Sequence, residues 1–396
     1  MIFQILDDRQ QCFGVYSNGS FIYDRLPDGN NRTWAWNRNL VGKNIEYAQI
    51  WCQGKPLGEV GPPHLVDRFE IRSRKIKGFL RSMTNAKIRF DDICLFEIVP
   101  DHQLRHYCEV KNEICKWIFE NLEKPKNHQF MVDLLEMTED ISENIVSIDL
   151  NRLFRHSKND RKAYHLFNQV KGEEQRIMYD VWGSVTGRLT TKSGSFPILN
   201  LKKEIADCVI PKNDVFIQLD FNGAEIRTLL SLAGKEQPEG DIHEWNMKNI
   251  YHNITERSKA KQKFFAWFYN PNSNDTETEK FCNRGEVLKN HYKNGVVSTP
   301  FGRDIEADDF HALNYLLQST SSDNCLHSAV KINKFLKDKK TFVHSVVHDS
   351  ITIDMKYEER QVLPALLEIF SDTKLGMFNT SVHIGKDLKN FERLQW

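Results

Sequence analysis

The sequence predicts an α+β protein of 396 residues, and three observations predict it. Residues 1–100 hold β-prone runs on either side of Ser17-Asn18-Gly19-Ser20, a hairpin signal. From about residue 106 the apolar residues fall at helical spacing. Short apolar runs at 215–220, 342–347 and 351–355 read as strands, and the last two flank His348-Asp349-Ser350 as an antiparallel hairpin with an aspartate at its tip.

The elements follow in order. PDGNN (27–31) and GEVGPP (58–63) are loops. Residues 67–89 carry eight Lys/Arg against Asp67 and Glu70, a local net of +6 inside an otherwise β-rich region. In the next segment Val110, Ile114, Trp117 and Ile118 lie near one helix face, and Pro125 closes the run. Residues 133–143 hold five acids, and 149–176 are polar and basic. VFIQLD (215–220) reads as a buried strand running into a helix at FNGAEIRTLLSLAG. Residues 256–269 are helical, with cations and rings interleaved, and PNSNDTETE (271–279) is a loop. There is no internal repeat, no low-complexity tract and no apolar stretch of membrane-spanning length.

Lys+Arg and Asp+Glu are 54 each, so the formal charge is zero, which argues against a generally basic nucleic-acid binder. Residues 1–175 hold 25 of each sign, so neither half is basic. The positive charge sits in runs, +6 at 67–89, +3 at 256–263 and +4 at 331–340, which predicts salt-sensitive binding of anions through local patches. The eight cysteines form no C-x-x-C pair and no short His/Cys cluster, so no zinc-ligand spacing is present. Scattered cysteines and an acidic N-terminus without a signal-peptide pattern predict a soluble, cytoplasmic chain without a membrane role.

Asp220 ends one predicted strand and Asp349 sits in a turn between two others. Carboxylates at strand ends can meet at a sheet edge and hold a pair of divalent ions, although Asp is also a common turn residue. On the 256–269 helix, Arg257, Lys261, Phe265 and Tyr269 recur every four residues and share one broad face. Two cations followed by two rings suit a triphosphate and a base. An ordinary amphipathic helix with its rings in the core fits the same spacing.

The order of short segments is more specific than any one of them. The chain reads T-G-R-L (186–189), D-F-N-G-A-E-I-R (220–227), D-I-H (241–243), R-x-x-x-K-x-x-x-F-x-x-x-Y (257–269), F-G-R (301–303), N-x-x-x-Q-x-T-x-x-D (314–323) and V-H-D (347–349). This series resembles, in the same order, the polymerase domain of the family A, DNA polymerase I-like enzymes, over about residues 176–396. The resemblance implies a right-hand polymerase, with an antiparallel palm sheet, short fingers and a reduced thumb. It implies that Asp220 and Asp349, with the Phe221 carbonyl, hold two Mg²⁺ ions, Mn²⁺ being a substitute. Arg257, Lys261 and His243 would then grip the triphosphate of a dNTP. Phe265 would stack near its base, Tyr269 would pack beside the template base, and Glu225 would exclude a ribose 2′-OH. Arg188, Asn314 and Gln318 would follow the primer–template minor groove, Arg303 the template strand and His348 the primer end.

Some residues depart from that pattern. Ser350 stands where the family often has Glu, and Ala266 and Asn270 where it usually has glycines. The domains expected are 1–105, a β-rich exonuclease remnant or DNA-binding module; 106–175, a reduced helical thumb; and 176–396, palm and fingers. Residues 1–100 lack a D-x-E exonuclease motif, the nearest candidates being Asp7-Asp8, Asp91-Asp92 and Glu97. The expectation is therefore a compact, exonuclease-deficient DNA polymerase, monomeric, encoded by a phage and acting in the host cytoplasm. It would work on primer–template DNA, with a processivity factor or replisome partner to keep it there. The alternatives are a single-subunit RNA polymerase, which Ser350 suits and Glu225 does not, an inactive polymerase-like DNA-binding protein, and a two-metal nuclease.

Overall fold

The structure is a computed structural model, and it describes residues 1–7, 13–87, 94–270 and 272–394. Asp8, Cys12, the end of the basic stretch at 88–89, Asp91, Asp92 and Pro271 lie outside the described residues. The chain divides into two compact units, Met1–Glu136 and Met137–Trp396.

In the first unit, β1 (Gln4–Ile5), β2 (Gly14–Ser17) and β3 (Ser20–Tyr23) form a small antiparallel sheet. The expected hairpin turn is present, with Asn18 and Gly19 both at positive φ (50° and 76°), the backbone that Asn-Gly adopts most readily. The basic stretch, placed in a β-rich region by sequence, is instead a 23-residue helix, α1 (Pro63–Asn85), with Pro at its first turn. Leu65, Phe69, Ile76, Phe79 and Leu80 form its apolar stripe, which packs on Val110, Ile114, Leu104 and Cys108 of α2 (Asp101–Asn121). The Lys/Arg residues crowd the other face and disguise that stripe. Arg68 pairs through both nitrogens with Glu113 (2.6 and 2.9 Å) and Arg74 with Glu70 (2.7 Å). Lys75, Lys77 and Arg81 are exposed with no carboxylate partner among the described residues. The acidic segment forms the helix α3 (His128–Glu143).

The second unit contains two short helices, α4 (Leu150–Ser157) and α5 (Arg161–Val170), and then a five-stranded sheet. Its strands are β4 (Val215–Phe221), β5 (Phe342–Val347), β6 (Ser350–Met355), β7 (Thr380–Gly385) and β8 (Phe391–Arg393), in the spatial order β5-β6-β4-β7-β8, with every neighbouring pair antiparallel. β4 and β6 are central and almost wholly buried, which explains their near-continuous apolar runs. The Phe221 ring stacks on Phe370 of α10 (Leu363–Ser371) at 4.2 Å and meets Phe378 edge-on at 5.3 Å.

Gly223, at φ 68°, turns the chain directly from β4 into α6 (Ala224–Leu232), and a Cβ there would come within 2.4 Å of Ile242. Next come α7 (Ile242–Asn249), α8 (Arg257–Tyr269) and the 25-residue α9 (Ala312–Leu336). They share a core that includes Leu229, Tyr251, Phe264, Trp267, Phe268 and Leu316. The expected loop at 271–279 gives way to a helix from Thr276, capped by the Asp275 side chain. Six cysteines (52, 108, 115, 208, 282 and 325) are free and buried, and Cys94 is disulfide-bonded. Among the described residues no helix is long and apolar enough to cross a membrane.

Arg227 is fully buried, and its three nitrogens donate to the carbonyls of Asn222 (2.7 Å), Pro238 (2.8 Å) and Gly240 (2.8 Å). It ties the end of β4 to the loop that enters α7. Each buried carbonyl left without a donor costs about 1–3 kcal/mol. Arg227→Ala is therefore expected to lower unfolding stability by about 3–5 kcal/mol in a urea titration; a loss under about 1 kcal/mol would remove Arg227 from this role.

Candidate active site

The site begins with strand register. β4 and β6 pair so that Asp220 lies opposite Ser350. Asp349 precedes Ser350 in the two-residue turn between β5 and β6. His348 supplies the turn's left-handed residue (φ 55°), the Ser350 hydroxyl donates to the Val347 carbonyl (3.0 Å), and the Phe221 N–H donates to the Asp349 carbonyl (3.4 Å). Ser350 thus closes the turn where a Glu would project a third carboxylate.

The two aspartates are brought together at the sheet's end, half-buried, and with no donor from any other residue among those described. No side chain or N–H bonds the Asp220 carboxyl among the described residues; burial, and then the Asp349 charge, push it from its ordinary 3.8 up to about 7. Burial also raises Asp349, against its own backbone N–H and the charges of His348, Arg188 and Lys261. Buried carboxylates nearby are treated differently. Asp354 accepts from the N–H groups of Lys212 (2.7 Å) and Asn213 (2.9 Å). Asp323 holds Arg303 (2.7 and 3.1 Å), and Asp387 accepts from Lys389 and Asn390. Two adjacent carboxyls whose one donor among the described residues is Asp349's own N–H fit a divalent cation, a hard ion that prefers oxygen ligands. Among the described residues no group of three or more His, Cys, Asp or Glu side chains gathers, so the candidate cation site is a pair.

The α8 helix faces both ways. Phe264, Trp267 and Phe268 are buried in the core, while Phe265 is half-buried and Tyr269 is 45% exposed on the other face. The predicted stripe is therefore on the open side and the competing core packing takes the intervening rings. Phe265 and Tyr269 stack at 5.8 Å and the Lys261 ammonium lies 5.9 Å over Phe265. No carboxylate pairs with Lys261 among the described residues, and its charge reaches both Asp349 and His243.

Arg257 is committed differently. Its guanidinium grips Asp241 (2.6 and 3.1 Å), and Asp241 also caps α7 by accepting from the N–H groups of His243 and Glu244. Burial would raise the Asp241 carboxyl, but these bonds and the Arg257 charge hold it well below the usual range. His243 is buried, its Nδ1 has no partner, and burial followed by the Arg257 charge lowers it to about 4, leaving it neutral at pH 7. The sequence marks Asp241 within D-I-H (241–243) but not its pairing with Arg257, although Asp241 with Glu244 three residues on is a capping-box signal.

Glu225, on the first turn of α6, accepts from Arg188 (2.6 Å) and from the Tyr269 hydroxyl (2.9 Å). Three elements distant in sequence are thereby joined through one carboxylate. Asn314 and Gln318 bond each other (2.6 Å) on α9. Arg303 departs from expectation: its guanidinium, 10% exposed, is enclosed against Asp323 and beneath Gly187, whose Cβ would lie 2.5 Å from it. It underlies the T-G-R-L turn instead of offering a free guanidinium. The sequence alone could not pair residues 303 and 323 with a glycine at 187.

The stability of the pair depends on pH. The folded chain keeps the Asp220 proton to about pH 7, whereas the unfolded chain loses it near pH 4, so the folded state binds more protons between these values and stability declines as pH rises through that window. Asp220→Asn is expected to unfold at higher temperature than wild type at pH 8 in chelator, by on the order of 1–2 kcal/mol, the gap closing toward pH 4. A variant less stable than wild type at pH 8 contradicts the mutual destabilisation.

No protein-family model matches the chain, and no curated protein matches it in sequence. In structure it is similar to the POL domain of Pol1 from M. smegmatis, solved in complex with DNA primer-template and dNTP: the identity is 11%, the TM-score 0.67, and the match covers 98% of this chain and 95% of that one. The similarity thus extends through the N-terminal unit as well as the sheet. The chain has the fold of a DNA polymerase POL domain.

Proposed function

We propose that this chain is a template-directed DNA polymerase that adds dNMP to a primer 3′-OH. The observation that carries the reading is the pair of carboxyls, Asp220 and Asp349, which no other residue's donor satisfies among the described residues, facing a helix that presents Lys261, unpaired among those residues, and two stacked rings. The primer 3′-oxygen would attack the α-phosphorus, the bond to the β-phosphate would break, and pyrophosphate would leave.

Asp220 and Asp349, with the Phe221 carbonyl, would hold two divalent ions, Mg²⁺ or Mn²⁺ in its place. Bound there, such ions lower the pKa of an attacking hydroxyl and balance charge on a transferring phosphoryl group. Lys261 would meet the triphosphate as a free cation. Arg257 would join it once released from Asp241, and the neutral His243 would donate a hydrogen bond. Phe265 would stack on the incoming base with Tyr269 beside the template base. Glu225, fixed from two sides by Arg188 and Tyr269, would fill the space of a ribose 2′-OH. Arg188, Asn314 and Gln318 would line the minor groove, Arg303 would support that line from beneath Gly187, and His348 would meet the primer end. The exposed Lys75, Lys77 and Arg81 of α1 would add phosphate contacts from the first unit. Absence of proofreading, reliance on a processivity partner, action as a monomer and a phage origin complete the proposal.

Primer extension tests it. With Mg²⁺ and dNTPs the wild type is expected to extend a primed template. Asp349→Ala should lose roughly 100-fold or more of that rate, and residual activity near wild type would sink the cation assignment. Glu225→Ala should leave dNTP incorporation measurable while raising the rNTP/dNTP ratio about tenfold or more. A wild-type preference for rNTPs would point to an RNA polymerase instead.

A further inference from the structure

The polar, basic segment that precedes the sheet takes no part in the site described above. Between residues 150 and 170 it holds five Lys/Arg and one acid, Asp160, a net of +4. It folds as the helix pair α4–α5. Leu153, Ala163, Leu166 and Val170 are turned inward and buried. Phe154 and Tyr164, by contrast, are 47% and 53% exposed. Phe167, half-buried, supports Phe154 at 5.3 Å, and the Lys158 ammonium lies 5.0 Å over the Phe154 ring. The acids of this segment are already engaged. Asp149 caps α4 and pairs with Arg152 (3.1 Å), and Asp160 caps α5 and holds Lys202 (2.5 Å). Arg155, Lys158, Arg161 and Lys162 are all exposed, and no carboxylate pairs with any of them among the described residues.

Four exposed cations within eight residues, none in an ion pair among the described residues although the Arg161 Nε donates to His165 (3.4 Å), are bracketed by two half-exposed rings on adjoining helices and form a surface whose charge is complementary to a phosphate backbone and whose rings offer faces to bases. Duplex DNA hides its base faces and would use only the cations; a single strand uses both. We infer that the α4–α5 hairpin is a binding platform for single-stranded nucleic acid, with Phe154 and Tyr164 stacking on bases and Arg155, Lys158, Arg161 and Lys162 meeting the phosphates. The polymerase reading supplies the source of such a strand, the unpaired template, and the binding measurement needs no polymerase activity, so the two ideas fail separately.

The test is fluorescence anisotropy of a labelled oligo-dT with the full chain, in chelator, across a salt series. Phe154→Ala/Tyr164→Ala is expected to weaken binding about tenfold or more, with a smaller change for a blunt duplex of equal length, while Tyr164→Phe keeps wild-type affinity. Arg155→Ala/Lys162→Ala should flatten the slope of log K against log salt by about 1.4, from roughly 0.7 per phosphate contact on single strands. This second pair leaves the rings untouched and keeps the test available should the ring variant fold poorly. Unchanged oligo-dT affinity and salt slope in folded variants, the result expected of a surface that serves a protein partner, overturns the inference. An equal loss for the blunt duplex overturns the stacking role.

Discussion

Two like-charged carboxyls held together at the end of a sheet are the constraint on which the rest of the second unit depends. Asp220 and Asp349 are adjacent because antiparallel pairing puts residue 220 opposite 350, and the intervening turn is only two residues long. Their proximity opposes folding near neutral pH, since burial and mutual repulsion both disfavour the charged forms. The surroundings compensate. The central strands are buried on both faces, Phe221 is clamped between Phe370 and Phe378, and the Ser350 hydroxyl closes the turn. A rigid sheet that keeps two groups where neither is best satisfied is what a cation site requires before the cation arrives.

The helices add positive charge that is kept at a distance from those carboxyls. Arg257 pairs with Asp241 and Arg188 with Glu225, while Lys261 has no ion-pair partner among the described residues; Arg188 and Lys261 both act on Asp349 through space. The zero net charge of the chain is thus a sum of local arrangements. On α1 Glu70 is drawn into a pair, and on the α4–α5 hairpin Asp149 and Asp160 into caps and pairs, leaving cations outward; at the sheet end the reverse holds, with carboxyls left over.

Much of the site was legible because its residues lie on regular elements whose periodicity reveals their faces. The four-residue spacing of Arg257, Lys261, Phe265 and Tyr269 marks one side of a helix, and the structure leaves that side open while Phe264 and Trp267 enter the core. The alternation of apolar runs around His348-Asp349 marks a hairpin tip. The N-terminal unit was less legible. In α1 six Lys/Arg share the helix with its apolar stripe, so composition suggested a solvated basic stretch where periodicity alone identifies an amphipathic helix.

By itself, then, the sequence determined the strands that carry the site, the positions of the two aspartates at their ends and the cationic face of α8, since each follows from local spacing, whereas it missed the helices at Pro63–Asn85 and Thr276–Cys282. Tertiary structure alone decided which charges remain free. Arg303 meets Asp323 under Gly187, Arg227 gathers three carbonyls, Arg257 meets Asp241, and Glu225 joins Arg188 to Tyr269. Each of these pairings links residues 5 to 44 positions apart, and within the buried pairs further still when Gly187 is included. Local periodicity carries no information at such separations. A charged side chain takes its role from whichever partner burial brings within reach, and that partner is set by how the elements pack.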